Sequence, residues 1–253
     1  MRLEMHLHTR FSNDSLLCFW PLYIKCLYRK IDAVAVTEHN NIDGAIRFRE
    51  FCKKHGNKIQ VIIGNEILTK QGEIVGLYLM KPILEGLSAE ETINAIKEQN
   101  GIVYIPHPYD KKRQKTVLLE SVIAEFRSKI DCIEVHNGRN CKENYDIKQN
   151  KLAEKYQIPK VIGSDAHTWI EVGRNYMCVE TIPLNAEEFR NIIKNATFHS
   201  KKNLAFSHRI TKIVKVIKLI SRRNYNELYR IISRKIKDCI NRSSKKNSTK
   251  SSY

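Results

Sequence analysis

Apolar and polar residues alternate in short blocks along most of the chain. Residues 2–8 follow a two-residue period, with Leu3, Met5 and Leu7 on one face and Glu4 and two histidines on the other. This pattern is typical of a half-buried strand. Short apolar runs predict the other strands, at 31–36, 59–63, 73–80, 102–105, 132–135 and 159–162.

The segments between these strands carry helix signals. Ser88 and Glu91 form a capping box, and Gly101 provides a stop for the helix that the box opens. Helices are predicted at 21–30, 41–55, 88–99, 115–128, 146–156 and 185–195. Because strands and helices alternate, we expect parallel strands and right-handed crossovers. In a closed α/β barrel of this kind, functional groups gather at the C-terminal ends of the strands.

Side chains that bind metals follow or end most of the apolar runs. They are His6, His8, Glu38, His39, Glu66, His107, His136, Asp165 and His167. Imidazole and carboxylate together suit Zn, Mn or Fe ions. Buried carboxylates without compensation are costly, so gathering several at one end of a barrel favours a metal centre. The pattern therefore indicates a metal-dependent hydrolase.

Composition narrows the class of protein. Hydrophobic residues make up 42% of the 253 positions, enough for a packed core. The seven cysteines form no C-x-x-C pair and are odd in number, which favours reduced thiols in a cytosolic protein. The first residues lack a signal-peptide pattern, and no apolar run reaches the length of a membrane span. We therefore expect a cytoplasmic protein.

The net charge of +17 is concentrated at the C-terminal end. Residues 198–253 contain 16 Lys and Arg against two acids, so they carry 14 of the 17 excess charges. This shift divides the chain into a body at 1–197 and a basic tail. Basic amphipathic helices are predicted at 208–220 and 225–240, and residues 243–253 are expected to be disordered.

Three roles remain open for the basic tail. Its apolar stripes could dock on the body and leave the Lys and Arg side chains in solvent. Residues 201–242 could instead lie on an anionic membrane surface, which would make the protein peripheral to the membrane. They could also contact nucleic acid, although the tail has few aromatic residues for base stacking.

As a set, the motifs resemble the PHP (polymerase and histidinol phosphatase) family over residues 1–197. The motifs are His6-x-His8, Asp14, Thr37-Glu38-His39, Glu66, Pro106-His107-Pro108 and Gly163-Ser164-Asp165-Ala166-His167. The resemblance implies a distorted seven-stranded (β/α) barrel with a site for two or three divalent metal ions. In this chain a basic helical tail would follow the barrel.

Metal ligands are carried over from the resemblance by motif position. The implied ligands are His6, His8, Glu66 and Asp165 for one ion, Asp14, His39 and His167 for a second, and His107 with Glu73 for a third. Glu73 stands where relatives often have His, and Glu38 where the family usually has Asp. We interpret Glu38 as an acid that orients a ligand histidine, and His136 as a further candidate ligand or substrate contact.

The resemblance implies hydrolysis of a phosphoester, either a small phosphomonoester or a nucleotide, by hydroxide held on the metals. Asp165 would serve the reaction as a ligand, His107 or His167 would protonate the leaving group, and Arg139 would clamp phosphate. Simpler roles remain open, since Asp14 could cap a helix and Arg139 could be an ordinary surface charge. Two other functions also remain open: a nuclease whose tail holds the strand, and a non-catalytic anchored module.

Overall fold

The computed structural model describes residues 1–110, 116–140, 143–201, 207–221, 223–226, 229 and 233. The strands in these ranges are β1 (Arg2–Leu7), β2 (Ala33–His39), β3 (Gln60–Thr69), β4 (Gly72–Leu77), β5 (Ile102–Ile105), β6 (Cys132–Asn137), β7 (Lys160–Gly163), β8 (Tyr176–Cys178) and β9 (Thr197–His199). The helices are α1 (Phe19–Arg29), α2 (Asp43–Lys54), α3 (Ala89–Glu98), α4 (Glu120–Glu125), α5 (Glu143–Tyr156), α6 (Ala186–Ile192) and α7 (Ser207–Ser221). Most of the predicted helix at 225–240, and residues 243–253, lie outside the described residues.

The strands form one sheet in the order β7-β6-β5-β4-β3-β2-β1-β8-β9. A parallel bridge between Leu7 and Ala166 joins the end of β1 to the residues after β7, so the first seven strands nearly close a barrel. The predicted α/β barrel is confirmed. The sheet has nine strands where seven were expected, because β8 and β9 pair antiparallel beside the first half of β1. These two strands have three residues each, too few to show a two-residue period.

One strand of the barrel runs opposite to its neighbours, where the sequence predicted parallel strands. β4 is antiparallel to both β3 and β5, and the β3–β4 connection consists of Lys70 and Gln71. The reversal places the first residues of β4 beside the last residues of β3, with Glu73 opposite Leu68. Glu73 therefore lies at the same end of the barrel as residues that end the parallel strands.

Both faces of the barrel strands are buried. In β2, Ala33 and Ala35 belong to one apolar cluster, and Val34 and Val36 to a second. In β1, the face with Glu4, His6 and His8 was expected to be the polar side of a half-buried strand, yet all three residues are fully buried.

The helix signals hold where they are local. Ser88 and Glu91 make both hydrogen bonds of the predicted capping box at the start of α3. α1 ends at Lys30, whose left-handed φ of 54° stops the helix. The predicted helix at 115–128 is reduced to the short α4 within the described residues. No helix in the described part of the chain is both long and apolar enough to cross a membrane.

Candidate metal centre

Four ligand candidates meet at the C-terminal end of β1. The Nε2 atoms of His6 and His8 lie 3.2 Å apart, and carboxylate oxygens of Glu66 and Asp165 lie close to both. Glu66 oxygens are 3.5 Å from His6 Nε2 and 3.4 Å from His8 Nε2. Asp165 Oδ1 is 3.8 Å and 3.5 Å from the same two nitrogens. The structure thus brings together the four residues implied for one ion.

A second group lies beside the first, nearer to solvent. Asp14 Oδ1 is 3.5 Å from His39 Nε2 and 3.3 Å from His167 Nε2. The ring of His8 stacks on that of His39, with 4.3 Å between the centroids, and lies tilted against that of His167 at 4.4 Å. The side chains of Asp14 and His39 are about a quarter exposed, whereas the first group is buried. This group therefore forms the open side of the centre.

A third group contains His107 and Glu73. His107 Nε2 is 3.1 Å from Glu66 Oε1 and 3.4 Å from Glu73 Oε2. Glu73 reaches this position because β4 runs antiparallel to β3. Glu73 thus brings a carboxylate to the group for which the resemblance implied a third ion. His107 and Asp165 have φ values of 31° and 52°, a strained conformation for non-glycine residues that is common at functional sites.

The donor sets fit divalent ions. Ligand atoms lie within 4.8 Å of one another in three groups: His8, His39 and His167; His6, His8 and Glu66; and His39, Glu66 and Glu73. Within the described residues, Glu66 Oε2 and Asp14 Oδ1 are buried and make no hydrogen bond, although imidazole nitrogens lie 3.0–3.5 Å away. These converging nitrogens and oxygens are the ligand types that Zn, Mn and Fe ions bind.

Charge inside the centre is strongly coupled. Burial opposes ionisation of Glu66, but the charges of His6 and His39 outweigh it and hold the pKa of Glu66 well below its usual range. Burial, together with the neighbouring His39 and His167, lowers the pKa of His8 to about 3. The pKa values of His6 and His39, which burial alone would lower, are in turn raised by the carboxylates around them, so a divalent cation that bound here would displace their protons.

Glu134 organises one side of the centre. Its Oε1 accepts hydrogen bonds from His6 Nδ1 at 3.2 Å and from the Tyr104 hydroxyl, and its Oε2 accepts from His107 N at 2.7 Å and Asn137 Nδ2 at 2.9 Å. A donating Nδ1 directs the Nε2 lone pair of His6 toward the centre. The sequence pattern indicated no role for Glu134 or Asn137. Their place on β6, beside the candidate His136, was the available signal.

Glu38 is linked to the ligand candidate His8 through the hydroxyl of Ser12. Its carboxylate accepts hydrogen bonds from Thr9 N at 3.0 Å, the Thr9 hydroxyl and the Ser12 hydroxyl. Ser12 Oγ in turn lies 3.3 Å from His8 Nδ1. The longer side chain of Glu38 fits because residue 44 is glycine, where an added Cβ would lie 2.0 Å from Glu38 Oε1.

His136 turns away from the other ligand candidates. The register between β6 and β7 shifts between Glu134 and His136. His136 Nδ1 lies 2.8 Å from Asp146 Oδ2 on α5. Among the described residues, no metal-capable group includes His136.

Arg139 is buried beside the second group. Its Nε donates to Glu171 Oε1 at 3.2 Å, and Nη1 lies 3.1 Å from His167 Nδ1. Its Nη2 donates to the hydroxyl of Thr211 on α7. The structure therefore places Arg139 next to the ligand candidate His167, with its guanidinium hydrogen-bonded to Glu171 and Thr211.

α7 also contacts the loop that carries Asp14. Lys218 Nζ donates to the backbone oxygens of Arg10 and Ser12 at 2.8 Å and to that of Ser15. One ammonium group thus gathers three carbonyls around residue 14. Val214 and Leu219 on the same side of α7 are buried. The first part of the basic tail therefore packs on the barrel next to the centre.

The chain is similar to known proteins both in sequence and in fold. The model of the PHP domain family matches residues 4–246. Two uncharacterized proteins of Methanocaldococcus jannaschii are similar in sequence. One is 30% identical over 216 residues, with 81% of this chain and 85% of the relative aligned. The other is 40% identical over 121 residues, with 43% of this chain and 68% of the relative aligned.

Solved structures share the fold at low sequence identity. A two-domain protein from Bacteroides vulgatus, containing a predicted PHP-like metal-dependent phosphoesterase, has a TM-score of 0.62 and 21% identity over 79% of this chain and 65% of its own. PsfC from Pseudomonas syringae has a TM-score of 0.61 and 16% identity over 86% and 97%. The lesion-specific endonuclease PfuEndoQ from Pyrococcus furiosus has a TM-score of 0.57 and 17% identity over 78% and 57%. This chain thus spans less than two thirds of the first and third proteins.

Proposed function

The chain belongs to the PHP domain family, and on that premise we propose that it is a metal-dependent phosphoesterase. Its cofactors would be two or three divalent ions, with Mn, Zn and Fe all suited to histidine and carboxylate ligands. Proteins of similar fold include a predicted metal-dependent phosphoesterase and an endonuclease, whose shared chemistry is phosphoester hydrolysis.

The position of Glu66 is the observation that carries the proposal. Its Oε1 faces His6 and His107 at 3.5 Å and 3.1 Å, and its Oε2 faces His8 and His39 at 3.4 Å and 3.0 Å. A carboxylate with two imidazole nitrogens near each oxygen could bind two neighbouring ions. Bound ions would lower the pKa of a water ligand and neutralise charge on the attacking and leaving oxygens of a phosphoester.

The ligands in this proposal are those that the sequence implied. They are His6, His8, Glu66 and Asp165 for one ion, Asp14, His39 and His167 for a second, and His107 with Glu73 for a third.

The surrounding groups orient these ligands. Glu134 fixes the ring of His6, and the backbone oxygen of Asp165, 2.8 Å from His167 Nδ1, leaves His167 Nε2 for the centre. The contacts of Arg139 support a positioning role beside His167, because its guanidinium already donates hydrogen bonds to Glu171 and Thr211. The substrate enters from the side of Asp14 and His39, the exposed members of the centre.

We propose a small phosphomonoester or a nucleotide as the substrate. The second candidate is a nuclease that holds a nucleic acid strand with the basic residues at 201–242. Two observations support this second candidate: the charge of that segment and the likeness of the fold to that of an endonuclease.

The test is phosphate release from a panel of phosphomonoesters and short oligonucleotides, with added Mn or Zn. Asp165→Asn removes one ligand charge and should abolish metal-dependent turnover and lower the amount of bound metal measured by mass spectrometry. Glu98→Gln, at an exposed acid on α3, is the matched control and should behave as wild type. A folded, metal-loaded protein that hydrolyses no member of the panel would refute the proposal, and the preferred member separates phosphatase from nuclease.

A further inference from the structure

α1 presents an exposed apolar stripe to solvent. Leu16, Trp20, Ile24 and Tyr28 recur every fourth residue, and each is more than half exposed. Residues four apart lie on one face of a helix, so the stripe continues along the whole of α1 and the residues before it. A contiguous exposed apolar surface of this kind often marks an interaction site, whereas single scattered apolar residues do not.

α7 has two apolar faces, of which the barrel covers one. Val214 and Leu219 are buried against the barrel, whereas Ile213, Ile217 and Ile220 are about half exposed or more. A helix that needed only to dock on the barrel would carry polar residues on its outer face. The outer face of α7 is therefore a second exposed apolar stripe.

Contacts place the two stripes on the same side of the molecule. Lys218 binds the backbone oxygen of Ser15, the residue before Leu16. Near the other end of α7, Thr211 binds Arg139, which pairs with Glu171.

Glu171 belongs to a loop that completes the same side. Trp169, two residues earlier, is more than half exposed and lies 5.2 Å from Lys25 Nζ on α1. α7 thus runs along the two loops that flank α1.

The surroundings of the stripes are basic. The sequences of α1 and α7 contain no acidic residue, and they include Lys25, Arg29, Arg209 and Lys212. Like charges would oppose the association of two copies through this face. Nucleic acid would meet the cations, but it offers little to exposed isoleucines. Aliphatic and aromatic residues among Lys and Arg match the boundary between headgroups and acyl chains.

We propose that this surface, defined by α1, Trp169 and the outer face of α7, docks on an anionic lipid bilayer. The isoleucines and aromatic rings enter the headgroup boundary, and Lys and Arg pair with lipid phosphates. The loop with Asp14 lies between α1 and α7, so docking places the open side of the metal centre next to the membrane. The proposal does not depend on the reaction at that centre.

Intrinsic fluorescence tests the proposal directly, because the chain has only two tryptophans, Trp20 and Trp169, and both lie in the docking surface. The full chain is mixed with vesicles of phosphatidylcholine, with or without phosphatidylserine, and binding is measured by co-sedimentation. We expect binding to the phosphatidylserine vesicles, a blue shift of the emission, and quenching when the acyl chains are brominated. The double variant Ile213→Ser/Ile217→Ser should bind these vesicles at least about tenfold more weakly than wild type.

Met80→Ser/Leu84→Ser removes two apolar side chains that are more exposed than the isoleucines but lie outside the docking surface, and it should leave vesicle binding unchanged. Three results would overturn the proposal. One is no binding to phosphatidylserine vesicles at low salt. Another is binding without quenching by brominated lipid, which would mean that the cations alone hold the vesicle. The third is a dimer in solution that the isoleucine variant dissociates, which would assign the surface to a second copy.

Discussion

Replacing Gly44 by alanine should displace the carboxylate of Glu38. An alanine Cβ at residue 44 would lie 2.0 Å from Glu38 Oε1 and 2.7 Å from its Cδ. Oε1 accepts hydrogen bonds from both the amide and the hydroxyl of Thr9. Hydrogen bonds to charged groups contribute about 1.5–3 kcal/mol each, so losing two should lower the free energy of unfolding by about 3–6 kcal/mol. The helix propensity of alanine returns at most about 1 kcal/mol.

Glu38→Asp in the Gly44→Ala background is the decisive companion variant. Aspartate is one methylene shorter, which withdraws the carboxylate from the added methyl group. The double variant should therefore be more stable than Gly44→Ala alone, with a favourable coupling energy in a double-mutant cycle. Urea unfolding of the metal-free protein, followed by circular dichroism, gives the free energy of unfolding of the wild type, the two single variants and the double variant. The reasoning fails if Gly44→Ala lies within about 0.5 kcal/mol of wild type, or if Glu38→Asp does not rescue it.

Three further predictions follow from the described contacts. Lys218→Met removes the ammonium that gathers three carbonyls around Asp14 and should weaken manganese binding in calorimetry, whereas the exposed Lys212→Met should not. Ser88→Ala breaks the capping box of α3 and should lower the free energy of unfolding by about 1 kcal/mol in urea, and an unchanged midpoint would contradict this. Manganese at about one hundred times its dissociation constant should stabilise the fold by about 2.7 kcal/mol in thermal melts, reversed by a chelator; an unchanged melting temperature would argue against a metal centre.

The ends of the parallel strands could be predicted from sequence because their periodicity is local. Every apolar run except 73–80 ends within a few residues of a ligand candidate, and parallel strands bring such ends together. Glu66 and Asp165 meet near His8 for this reason, although about a hundred residues separate them in the chain. The capping box at Ser88 was also predictable, since all its partners lie within four residues.

Other features depend on contacts that no local pattern records. The reversal of β4 decides that Glu73 reaches His107, and apolar runs read alike in either strand direction. The register shift in β6 turns His136 toward Asp146 and leaves Glu134 with the ligands. Arg139 reads as a candidate clamp until its partner Thr211, 72 positions away, is known.

Barrel closure has a consequence for the order of folding. The bridge between Leu7 and Ala166 lies between the ligand candidates His6 and His8 on one strand and Asp165 and His167 on the other. Contacts between residues so distant in sequence form late and slowly, because the entropy of closing a long loop must be overcome first. The ligand candidates of a newly made chain therefore come together only when the pairing between Leu7 and Ala166 forms. Binding of a metal ion would then coincide with the last step of folding. The metal-free chain should refold to a state in which the pairing between Leu7 and Ala166 is weakened.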